Sequence, residues 1–131
     1  MNKVRKLHDA WVKAKREDLE KLRDAYPSVF YEIFHLRPGN DFIDFTDAIF
    51  HPEDIVAELE DLGINEFTIS GGWSGAAETI AEFEKLGFKL MGLVYVASQS
   101  VNFESGEPER VPAFLLKKKG AHKRRGVNYG C

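Results

Sequence analysis

Apolar residues recur with helical spacing over the first two dozen positions: Val4, Leu7, Trp11, Ala14, Leu19, Leu22, Ala25 and Tyr26 fall on one stripe. The spacing predicts one long helix from residue 2 to about 25. Lys15 and Asp18 land on the same stripe and split it in two. The C-terminal half is expected to pack on the body. The N-terminal half, with Trp11, is expected to project, where it could meet a partner or form a dimer. Pro27 ends the helix, because the residue before a proline resists the α region.

The pattern then shortens. SVFYEIFHL (28–36) is aromatic and β-branched and reads as a strand. RPGN (37–40) puts Pro and Gly where a type II turn takes them. DFIDFTDAIF (41–50) fits neither period. HPEDIVAELEDLG predicts a helix over 52–62, with Pro52 at its first position, Glu53 and Asp54 in its first turn and Gly63 past its end. Ile55, Val56, Leu59 and Leu62 form its apolar side, and Glu53, Asp54, Glu58, Glu60 and Asp61 cover the opposite arc. INEFTIS (64–70) reads as a strand, and a helix follows from about Ser74 to Leu86, closed by Gly87.

FKLMGLVYVASQSVNF (88–103) is a long strand, apolar on both faces around Leu90 to Ala97, which predicts a central place in a sheet covered on both sides. ESGE makes a tight hairpin turn. PERVPAFLLKK returns as the partner strand, and Pro108 and Pro112, which lack a donor, predict an edge position for it. The whole reads as a single α+β domain: a long N-terminal helix (1–26), a core (27–116) with a mixed sheet of about four strands and helices packed on it, and a mobile basic tail (117–131). Residues 65–97 are expected to form a right-handed parallel crossover.

Composition agrees with one packed domain. The chain has 131 residues, 44% of them apolar, with ten Phe. No apolar run approaches the ~20 residues of a membrane span, and the charged N-terminus is not followed by the apolar core of a signal peptide. The single cysteine, Cys131, cannot form an internal disulfide, so a reducing, cytoplasmic setting is expected.

Charge changes the picture more. The net value is −3, yet no Lys or Arg lies between Arg37 and Lys85, a stretch that holds twelve acidic residues. From Lys85 onward there are nine basic and three acidic residues, six of the basic ones in the last fifteen positions. Such segregation produces a strong local field whatever the net charge. Asp41, Asp44, Asp47, Glu53, Asp54, Glu58, Glu60 and Asp61 could present a row of negatives resembling a nucleic-acid backbone to a partner with a Lys/Arg groove, with Trp73 as an anchor. Alternatively, Lys117, Lys118, Lys119, Lys123, Arg124 and Arg125 could bind nucleic acid without sequence preference.

SGGWSGAAETI (70–80) joins a strand to a helix with the general shape of an anion site. It matches neither the dinucleotide fingerprint nor the phosphate loop with its Gly-Lys-Ser/Thr, and Glu78 and Glu82 would repel a phosphate. A sharp bend, a cap by Ser74 and a packing role for Trp73 are the expected reading. The run TISGGWSGAAETIAEFEKLGF, then GLVYV, then GEPERVPAF resembles a small domain of unknown function found in Gram-positive bacteria and their mobile elements. Trp73, Ser74, Glu78, Thr79, Pro112, Ala113 and Phe114 carry the resemblance, over roughly residues 65–116. It implies no activity. It does imply a phage or mobile-element setting, in which small proteins inhibit host defences, CRISPR nucleases among them.

Catalytic signals are sparse. His8, His35, His51 and His122 lie on four different segments, and Asp41, Asp44 and Asp47 come with no calcium-type loop or ligand-spaced His pair. No nucleophile motif is present. A site could still be assembled from distant residues, such as His35 with Asp44 or Glu32. The expected function is that of a non-enzymatic binding protein without cofactor or metal. Its most concrete form is an inhibitor that occupies the basic groove of a CRISPR nuclease.

Overall fold

A computed structural model describes residues 3–46, 51–71, 75–101 and 104–120. Helices α1 (Lys3–Val12), α2 (Arg16–Ala25) and α3 (Phe30–Phe34) come first, followed by β1 (Ile43–Phe45), α4 (Pro52–Leu62), β2 (Glu66–Ile69), α5 (Ala76–Lys85), β3 (Phe88–Val101) and β4 (Pro108–Lys118). The strands form one mixed sheet in the order β1-β2-β4-β3. β1 and β2 pair in parallel, and β4 runs antiparallel to both β2 and β3. The α+β class, the four-stranded mixed sheet and the N-terminal helical segment agree with the sequence reading.

Two rows of side chains cross the sheet and set the core. One runs Ile43, Phe67, Leu116, Leu90; the next runs Phe45, Ile69, Phe114, Leu93. Residues directly opposite share a face. The helices supply Val4, Trp11, Phe30, Ile33, Ile55, Leu59 and Phe83 to the same cluster, and Val29, just before α3, joins them. Phe67 sits at its centre, edge-on to Phe45, Phe83 and Phe88.

Several expectations are corrected. The N-terminal helix breaks at Lys13–Lys15, with Lys15 extended (φ −71°, ψ 156°). A continuous helix would carry Lys15 and Asp18 into the apolar stripe, and the break lets α2 re-phase so that Leu19 and Leu22 pack. Trp11 does not project. It is 5% exposed and stacks on Phe30 and Tyr26, so the apolar stripe of α1 is spent on the chain's own core.

Residues 28–36 do not form a strand. Val29, Phe30, Ile33 and Leu36 are buried at helical spacing, and Phe30 stacks on Phe34 one turn later. The turn at 37–40 closes as expected, with Asn40 N–H donating to Arg37 O at 3.1 Å and Gly39 at φ 86°.

β3 and β4 exchange their expected places. β4 is central and β3 is the outer strand. Pro112 and Pro108 are tolerated because β2 ends at Ile69, opposite Phe114; beyond that point β4 has only β3 beside it. β2 and β3 do run in the same direction through α5, but β4 lies between them. β4 also continues through Lys118, so the core extends two residues past the boundary expected at 116.

Candidate functional site

α4 aims its carboxylates in two directions. Glu58 turns inward, and its two oxygens accept the Ser28 N–H at 2.9 and 3.2 Å; one of them also accepts the Val29 N–H at 3.1 Å. The Ser28 N–H is a donor that the start of α3 leaves without a helical partner, while the Val29 N–H shares this bond with one to the Tyr26 carbonyl at 3.3 Å. Glu58 is therefore a cap supplied by another helix. Asp61 accepts the Tyr26 hydroxyl at 2.5 Å, a bond that raises the phenol above its ordinary pKa. Glu60 pairs with Lys118 Nζ at 2.8 Å. Glu60 is exposed and Lys118 partly so, and such a solvated pair is worth little.

Glu53, Asp54, Glu60 and Asp61 remain exposed, as do Glu78, Glu82 and Glu84 on α5, the helix packed against α4. Lys85 approaches Glu82 at 3.7 Å, and His51 approaches Glu53 at 3.9 Å. Seven outward carboxylates thus cover two neighbouring helices, with Lys85 and Lys118 the cations paired with them among the described residues.

The three evenly spaced aspartates do not converge. Asp41 is exposed and lines a shallow groove with Lys3 and Glu66. Asp44 points inward, while Asp47 lies outside the described residues, as do Trp73, Ser74, Lys123, Arg124 and Arg125. Among the described residues no group of three or more His, Cys, Asp or Glu is placed to hold a metal ion.

Asp44 and His35, one of the distant pairings the sequence left open, border the same space. They line a cleft of about 190 Å³ together with Glu32, Arg37, Asn40 and Thr46. The Asp44 carboxylate is 8% exposed and accepts the Thr68 hydroxyl at 2.6 Å and the Ser70 hydroxyl at 2.5 Å. Burial raises its pKa; the two hydroxyls and Arg37 oppose the rise. The cleft's wall is braced from outside. Arg5 donates to the Arg37 and Asn40 carbonyls at 3.0 and 2.6 Å, and the Asn40 amide is bonded to both backbone groups of Ala97. Both oxygens of Asp44 are occupied by hydroxyls that tie β1 to the end of β2, which is a structural arrangement.

The glycine turn has a steric explanation at its first residue. A Cβ on Gly71 would overlap the Thr46 carbonyl, because the end of β2 lies against the chain leaving β1. Lys117 pairs with Glu66 across the sheet, and Lys118 leans on α4, so the start of the basic segment belongs to the fold.

A family model described as a domain of unknown function (DUF7698) matches residues 30–118. The chain belongs to this family. The match spans most of the chain, wider than the 65–116 over which the resemblance was legible, and takes in both the acidic helices and the Asp44 cleft. No curated protein and no solved structure matches the chain. Among the described residues no helix is long and apolar enough to cross a membrane.

Sequence reasoning missed two features: the inward role of Glu58, and a row of exposed apolar side chains on β3. The apolar run from Leu90 to Ala97 predicts a strand covered on both sides, whereas Leu90, Met91, Leu93 and Tyr95 are exposed.

Proposed function

We propose that this protein is a non-enzymatic binding module that docks through the outer faces of α4 and α5 into a basic, nucleic-acid-binding groove of a protein partner. The observation that carries the reading is the run of exposed carboxylates on two adjacent helices, within a stretch of chain that contains no Lys or Arg from 38 to 84. Glu53, Asp54, Glu60 and Asp61 with Glu78 and Glu82 form the contact. Glu58 and Asp44, spent on internal hydrogen bonds, do not contribute. A partner's Lys/Arg groove gains electrostatic complementarity from such a face, and the association weakens with salt as nucleic-acid binding does. The narrowest form of the proposal, which rests on the mobile-element resemblance, is inhibition of a CRISPR nuclease.

The test is a triple reversal, Glu53→Lys, Asp54→Lys and Glu82→Lys, at positions without a structural hydrogen bond. Wild-type protein immobilised in lysate should retain nucleic-acid-binding proteins that duplex DNA or RNA displaces, and retention should fall steeply with salt. The triple variant should lose them while keeping its circular dichroism spectrum. Equal retention by both proteins rejects the proposal. If the basic tail is instead the working part, truncation after Gly120, which spares β4, abolishes a gel shift with RNA or DNA.

A further inference from the structure

The two core rows end unfinished on β3. Along the first, exposure is 0% at Ile43, Phe67 and Leu116 but 37% at Leu90; along the second it is 5% at Phe45 and 3% at Ile69 but 61% at Leu93. The next position on that face of β3, Tyr95, is 64% exposed opposite Pro112, and Met91, in the bulge between Leu90 and Gly92, is 51% exposed. α5 reaches the start of β3, where Phe88 is buried against Phe83, and Ala97 is buried again further on; between them Leu90, Met91, Leu93 and Tyr95 stay exposed.

We infer that the Leu90–Tyr95 face of β3 is the contact surface of a symmetric homodimer, in which two copies pack these side chains face to face. The area fits. Scaled by those exposures, the four side chains present on the order of 400 Å² per chain. Two copies then remove about 800 Å² from these side chains alone, the size of a weak, concentration-dependent association. Charge fits too: Leu90 through Ala97 carries no charged side chain, and the cation beside it, Arg110, lies at the Ala97 end, held on the Tyr95 carbonyl.

Strand addition at the Tyr95–Ala97 part of the edge is disfavoured. Arg110 donates to the Tyr95 carbonyl at 2.8 Å, and the Asn40 side chain occupies the N–H and C=O of Ala97. Those groups are what an added strand would pair with. The contact therefore runs through side chains, and a two-fold axis places Leu93, midway between Met91 and Tyr95, near its own copy.

Sedimentation equilibrium over a concentration series tests this. The full chain should approach twice its own mass, and a chain with Leu93→Lys and Tyr95→Lys should stay at a single mass with an unchanged far-ultraviolet spectrum. A wild-type chain that stays monomeric, or a double variant that associates equally well, overturns the inference. A Leu93→Cys chain carrying Cys131→Ser reads the same contact without added charge. It should form a disulfide-linked dimer on mild oxidation, and monomer alone on a non-reducing gel counts against the two-fold contact.

Discussion

Asp44 shows how one residue's role depends on what faces it. As a carboxylate in a row of three it looked like surface charge; buried against Thr68 and Ser70 it becomes a tie between two strands. Burial is the largest influence on its pKa and raises it. The folded state therefore holds that proton more tightly than the unfolded chain does. Asp44 costs nothing below the ordinary carboxylate pKa, and its ionisation subtracts stability as pH rises through the raised folded value. Asp44→Asn should accordingly gain stability relative to wild type over that window, by up to about 1.4 kcal/mol per pH unit. Urea midpoints at a series of pH values check this; a difference that is flat, or that falls with rising pH, contradicts it. Such a change of role cannot be read from spacing, because nothing local tells an aspartate which side of a three-residue strand is solvated.

At the level of elements, legibility followed how local the signals were. α4 was read to its exact bounds because proline, two carboxylates and Gly63, here left-handed at φ 71°, mark both ends within its own sequence. The 28–36 segment was misread because its β-branched and aromatic content outweighed a helical spacing only two turns long. What holds it helical comes from elsewhere, as Glu58 on α4 caps the start of α3. Glu58→Ala should cost about 1–3 kcal/mol, mainly the penalty for leaving the Ser28 N–H without an acceptor. Glu58→Gln, which keeps one acceptor, should cost less. The check is the urea midpoint at unchanged m value; an Ala variant within 0.5 kcal/mol of wild type would remove the cap argument. The exchange of β3 and β4 has a similar cause. Prolines mark a strand stretch with one free side, and here that stretch lies beyond the end of β2 while the rest of β4 is central.

For the whole molecule, the segregation of charge is the property that survives folding. α4 and α5 set their exposed carboxylates side by side, and like charges this close repel. Added salt should therefore raise the protein's stability, by about 1 kcal/mol or less for such exposed charges. The triple reversal at Glu53, Asp54 and Glu82 should flatten that dependence, which thermal melts across a salt series would show. A melting temperature indifferent to salt in the wild type would mean that the face is already neutralised. The α+β class, the α4 and α5 helices, the closing hairpin and the acidic stretch were all fixed by the sequence, because each depends on residues near one another in the chain. Only the tertiary structure decided which carboxylates stay on the surface, which strand ends up outermost and where the apolar rows run out. Those outcomes depend on contacts between residues tens of positions apart, and the local pattern of a chain does not record them.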